Sequence, residues 1–80
     1  MELEFSQHGL EQIRRRGISK TRVKKAIQKA DNQQATFKGR RIFQKRFGKK
    51  LLEVVVIEEA EKLVIITAYY LYENKLRSKN

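Results

Sequence analysis

The sequence predicts an α+β domain in which two N-terminal helices pack on a three-stranded antiparallel β-meander, with Glu2 to Phe5 as a candidate fourth strand at one edge. Three observations predict it. Apolar residues recur close to every 3.6 positions as far as residue 30 and close to every second position after it. Ser6 and Ser19 stand where helix N-caps belong. The alternating half is divided by two turn signals, Gly48-Lys49 and "EAEK" at 59–62. Helices first and paired strands afterwards is an α+β order.

Ser6 opens the first helix, whose inner stripe is Leu10, Ile13 and Gly17, the glycine also ending it. Ser19 caps the second, with Val23, Ala26, Ile27 and Ala30 inward and Lys20, Arg22, Lys24, Lys25 and Lys29 outward. "DNQQ" at 31–34 breaks the chain. In "ATFKGRRIFQKRF" the residues Phe37, Arg41, Phe43, Lys45 and Phe47 share one face, and Arg40 and Ile42 the other. "LLEVVVIE" is nearly all apolar, as in a central strand. A turn at Gly48-Lys49 sets Phe43 opposite Val54 and Arg41 opposite Val56. In "LVIITAYYLY", simple alternation puts Leu63, Ile65, Thr67, Tyr69 and Leu71 on one face; a one-residue slip moves Thr67 and Tyr69 to the other. Phe43, Val54, Val56, Ile27 and Ile66 are expected in the core.

At 80 residues the chain is long enough for one domain, expected over 1–73, with a polar basic tail at 74–80 that frays. A domain this small buries only about 60% of the surface of its unfolded chain. There is no cysteine and one histidine, so neither a disulfide framework nor a thiolate or histidine metal centre is expected, and no cofactor. No apolar run reaches the ~20 residues of a membrane helix. "MELEFSQ" lacks the layout of a signal peptide, so the expected location is the cytoplasm.

The formal net charge is +10, and residues 1–48 carry thirteen basic and four acidic groups, a net +9. Focused positive charge is the footprint of a polyanionic partner: a nucleic acid, an acidic protein or anionic lipid. A helix-turn-helix reading of residues 6–30 fails on the second helix, which offers lysines for phosphates rather than polar side chains for base edges.

"FSQHGLEQIRRRGISKTRVKKAI", then "GRRIF", "LEVVVI" and "LVIITAYY", resemble a family of small bacterial domains of unknown function grouped with the BrnT- and RelE-like ribonuclease toxins. The wider superfamily includes barnase, EndoU and the ribonuclease colicins. The resemblance spans residues 5–71 and rests on His8, "RGIS" at 16–19, "GRR" at 39–41 and "TAY" at 67–69. It implies a metal-independent endoribonuclease, the toxin of a toxin–antitoxin pair, acting on RNA that includes ribosome-bound mRNA and neutralised by an acidic antitoxin. The family often has arginine one helical turn after the histidine; here that residue is Gln12.

Such cleavage needs a base for the 2′-hydroxyl proton, an acid for the leaving 5′ oxygen, and cations for the phosphorane charge. His8 is the side chain whose ordinary pKa suits proton transfer. The matched positions make His8, Arg16, Thr67 and Tyr69 the candidate catalytic set, with Tyr70 as an alternative proton donor. Arg15, Lys24, Lys25, Arg40 and Arg41 are candidate RNA-binding residues, Arg41 preferred over Arg40. Two other classes compete with the enzyme: a nucleic-acid-binding module that does not cleave, and a basic adaptor for an acidic protein.

Overall fold

The computed structural model describes residues 2–72; the tail expected to fray lies outside the described residues. The chain runs β1 (Glu2–Phe5), α1 (Gln7–Arg15), α2 (Lys20–Gln28), β2 (Asn32–Ala35), β3 (Arg40–Phe47), β4 (Lys50–Glu59) and β5 (Lys62–Tyr72). The strands form one five-stranded mixed sheet in the order β1-β5-β4-β3-β2. No helix among the described residues is long and apolar enough to cross a membrane.

The class is α+β, but the expected three-stranded meander under two leading helices is wrong. The candidate edge strand Glu2–Phe5 does form, but it joins the sheet through β5 in parallel, Leu3 beside Leu63 and Phe5 beside Ile65. "DNQQ" is largely strand: Asn32–Ala35 pairs antiparallel with β3. Its four residues are all exposed, so no apolar alternation marks it. Main-chain pairing with β3 holds it, and two side-chain bonds add to it: the Asn32 amide donates to Gln44 Oε1 (3.1 Å) and the Arg41 guanidinium to Gln33 Oε1 (2.5 Å). The turn from β2 to β3 is at Phe37–Gly39, where Lys38 and Gly39 take left-handed φ of 60° and 72°.

Both serines cap as their positions demand. The Ser6 hydroxyl accepts from Gly9 N–H at 2.8 Å and that of Ser19 from Arg22 N–H at 3.1 Å. "RGIS" is the whole connection between the helices. Arg16 is the C-cap of α1, Gly17 turns left-handed at φ 67°, and Ser19 opens α2. Ile18 N–H donates to Ile13 C=O and Gly17 N–H to Arg14 C=O, the paired bonds of a Schellman motif. Ile13 and Ile18 are both buried, supplying the apolar contact that accompanies this motif. Gly17 is therefore on the exposed connection and not on the inner stripe.

One face of the sheet meets the helices. Its core is Ile13, Ile18, Val23 and Ala26 from the helical layer against Phe43, Leu52, Val54, Val56, Leu63, Ile65 and Ala68. The β3–β4 register is the expected one, Phe43 opposite Val54 and Arg41 opposite Val56. Ile27 and Ile66 are only half-buried, against expectation.

The reason for Ile66 is a β-bulge. Val56 pairs with Ile65 but Val55 pairs with Thr67, so Ile66 is the extra residue. Leu63 and Ile65 face the helices before the bulge; Ala68 and Tyr70 do so after it. Thr67 and Tyr69 therefore lie on the opposite, open face, and simple alternation fails at this one step.

The turn from β4 to β5 places Ala60 at φ 52°. A left-handed residue other than glycine costs roughly 1–2 kcal/mol. Ala60→Gly is expected to raise stability by about 1 kcal/mol, allowing for glycine's greater unfolded freedom. Thermal melting checks it, and an unchanged or lower Tm would show no strain to relieve.

Candidate functional site

The open face carries a polar row across four strands. Asn32, Gln44, Glu53 and Tyr69 are successive cross-strand partners on β2, β3, β4 and β5. Their side chains bond in series. Asn32 donates to Gln44, Gln44 donates to Glu53 at 2.6 Å, and the Tyr69 hydroxyl donates to the other Glu53 oxygen. One carboxylate in the middle of the sheet is thus held from both sides. Tyr69 reaches it only because the bulge turned that residue to this face.

Arg16 joins the row from above. β1 covers β5 only as far as Ile65, so the β5 edge beyond it has no strand neighbour among the described residues. Arg16 Nη1 reaches that edge and donates to Ala68 C=O (2.9 Å) and Thr67 Oγ1 (3.1 Å). Its guanidinium lies 5.9 Å from the centre of the Tyr69 ring. The other guanidinium nitrogens have no partner among the described residues, and the side chain is exposed. Free donors in a fixed fork are suited to an oxyanion with two or more oxygens.

Two local features place Arg16 there. The Schellman motif fixes it as the C-cap, and a close contact fixes the start of α1. Ser6 N–H and its hydroxyl both donate to Ile65 C=O at 3.0 Å. Gly9 then packs directly on that carbonyl, so close that a Cβ at Gly9 would overlap the Ile65 oxygen. Glycine is required here by proximity of backbone to backbone.

Burial pushes the Tyr69 phenol up to about 12; the Glu53 carboxylate that accepts its hydrogen bond adds to the rise, and Arg16 pulls the other way. The protonated phenol is the form that donates to Glu53. This hydrogen bond contributes its full stabilisation below the unfolded value of about 10 and loses it as pH rises through about 12. The Tyr69 Cζ resonance, assigned with Tyr69→Phe, is expected to titrate near pH 12. Arg16→Ala should move it higher and Glu53→Gln lower. A midpoint near 10 in the parent protein would contradict the packing described.

The other expected site residues are scattered. His8 is exposed near the start of α1, about 12 Å along the helix axis from Arg16, and no side-chain hydrogen bond among the described residues ties it to the row. At about 100° per residue, His8, Gln12 and Arg16 fall on one flank of α1. Arg15 is exposed without a contact to the row, and Lys24 and Lys25 are exposed on α2. Arg40 lies opposite Ile57 at the far end of the open face. Arg41 lies on the helix-side face, paired with Glu58 at 3.5 Å and bonded to Gln33. It therefore does not line up with the histidine-bearing helix, because β4 lies between its strand and β5, the strand on which α1 packs. Neither arginine of "GRR" meets Arg16.

Glu53 was missed from the sequence, where it reads as the polar interruption of an apolar strand. Only the register that sets it beside both Gln44 and Tyr69 distinguishes it. Arg22 was missed as a specific contact: it donates to the Tyr70 hydroxyl at 2.7 Å and lies 4.7 Å from the Phe47 ring centre. Two clefts lie elsewhere, on the helical layer, one of about 260 Å³ lined by Leu10, Ile13, Arg14, Ile18 and Lys20. They hold no carboxylate–phenol pair, and the chemistry points to the open face instead.

Charge follows the layers. The helical stretch 7–29 holds eight basic residues and one acidic one, so it carries +7 of the net +10.

No curated protein and no solved structure matches this chain. A family model matches residues 5–70, which takes in Gly9, "RGIS", Glu53 and the bulge at Ile66 together. The chain belongs to that family, described as a domain of unknown function (DUF4258).

Proposed function

We propose that this domain is a metal-independent endoribonuclease, the toxin of a toxin–antitoxin pair, acting in the cytoplasm of the producing cell on single-stranded RNA or ribosome-bound mRNA. The observation that carries the reading is the Arg16 fork, held by Thr67 and Ala68 beside the Tyr69–Glu53 pair. The resemblance to BrnT- and RelE-like toxins and the basic helical layer support it.

Arg16 holds the scissile phosphate with its unpartnered N–H groups. Glu53 takes the 2′-hydroxyl proton, the O2′–P bond forms, and the P–O5′ bond breaks. His8, on the same flank of α1 as Arg16, gives a proton to the departing 5′ oxygen. Products carry a 2′,3′-cyclic phosphate and a 5′-hydroxyl. DNA is not cut, because it lacks the nucleophile. Purified protein, free of its acidic antitoxin, is incubated with single-stranded RNA and with translating ribosomes. Cleavage in neither setting overturns the reading. With no cysteine and a single histidine in the chain, chelators are expected to leave the rate unchanged.

One observation favours a second reading: His8 is outside the bonded row. A nucleic-acid-binding module without cleavage would use the same basic layer and need no proton donor.

Both readings predict steep salt dependence, since each phosphate neutralised releases counterions. Lys24→Ala with Lys25→Ala should lower the slope of log K against log salt by about 2. Affinity that does not change between low and physiological salt would exclude a polyanion at this layer.

A further inference from the structure

The hairpin end of the helix-side face carries a second constellation that the proposed chemistry does not use. Two cross-strand rows meet there. One is Lys45–Leu52–Tyr70 and the next is Phe47–Lys50–Tyr72. The second row alternates ring, cation, ring, and the first sets a cation and a ring on either side of the buried Leu52. Lys50 Nζ lies 5.0 Å from the Tyr70 ring centre and 5.9 Å from that of Tyr72. Lys45 lies 5.9 Å from Phe47, and Arg22 reaches in from α2 to Phe47 and to the Tyr70 hydroxyl. Lys45 also stands 3.9 Å from Asp31, whereas Arg22 and Lys50 have no carboxylate partner among the described residues. Tyr72 is 49% exposed, the one large hydrophobic so exposed among the described residues.

We infer that this cluster of rings and cations is a single-stranded nucleic-acid stacking surface, through which a strand leaving the Arg16 site is held. Base rings stack on any aromatic face, and interleaved cations take the phosphates. Tyr69 and Tyr70 are adjacent and point to opposite faces of β5. A strand lying on Tyr69 and Arg16 therefore passes the uncovered β5 edge and arrives at Tyr70 and Tyr72. This deepens the ribonuclease reading by giving the substrate a second contact, but the surface itself reads no 2′-hydroxyl. It should hold single-stranded DNA as well as RNA.

The test uses the full chain and a labelled deoxythymidine 12-mer, which cannot be cleaved. Tyr72→Ala and Lys50→Ala are each expected to weaken binding by about tenfold, with Tyr72→Phe close to the parent. Lys50→Ala should also lower the salt slope by about 1, whereas Tyr72→Ala should leave it unchanged. The chain has three tyrosines and no tryptophan, so stacking should quench its tyrosine fluorescence. Parental affinity in Tyr72→Ala overturns the inference. So does polyglutamate that competes as well as the oligonucleotide, which would make this a surface for an acidic protein. On RNA, Tyr72→Ala should raise KM for a long substrate and spare kcat. If the 12-mer binds as expected and no RNA is ever cut, the ribonuclease reading falls and the stacking surface stands.

Discussion

Arg16→Ala is expected to lower RNA cleavage by about 100- to 1,000-fold while leaving the fold intact. The size follows from removing a preorganised donor to the developing phosphorane charge. The fold should survive because Arg16 is exposed, and its backbone, not its side chain, completes the helix cap. Arg16→Lys should not restore the rate, since an ammonium cannot bridge Thr67 and Ala68 while presenting a fork to phosphate. His8→Ala and Glu53→Gln separate the proton roles. Each should cost about 100-fold or more if the residue transfers a proton. Full activity in Glu53→Gln with loss in His8→Ala would return the base to the histidine. Parental rates in all three variants would leave binding as the domain's role.

Phe43→Ala is expected to destabilise the domain by about 3–5 kcal/mol. Phe43 is 4% exposed, packed in the core beneath the helical layer and paired with Val54. Truncation removes a buried ring and leaves a cavity that the sheet backbone cannot collapse to fill. Domains of ordinary stability have about 5–15 kcal/mol in total, so the variant should be largely unfolded well below the parent's Tm. Arg41 also loses the ring it lies over, at 5.4 Å, but a half-exposed cation over a ring is a minor part. Chemical denaturation measures the effect, and a parental midpoint would mean that Phe43 does not face the helices.

Much of the fold is legible in local chemistry. Ser6 and Ser19 cap helices because a hydroxyl at that position satisfies an otherwise orphaned amide. Gly17 ends α1 because only glycine turns left-handed there without cost. Gly48-Lys49 sets the β3–β4 register, and from it the pairing of Phe43 with Val54 follows without any long-range information. The strand β2 left no trace, since "NQQA" buries nothing and is ordered by its neighbour's main chain. The parallel seat of β1 depends on β5, sixty residues along the chain.

The candidate site divides in the same way. The family resemblance singles out Arg16, Thr67 and Tyr69, and residue type leaves His8 as the histidine to consider. The sequence by itself determined the charge, the capped helix pair, the hairpin and the apolar strands, because each depends on neighbours a few residues apart. Only the tertiary structure decided which face Tyr69 occupies, that Glu53 is its partner, and that Gly9 must be bare. Those depend on a bulge at Ile66 and on a helix pressed against the Ile65 carbonyl. Both are contacts between segments distant in sequence, and a one-residue slip that reverses every following side chain leaves no mark on the alternating pattern that precedes it.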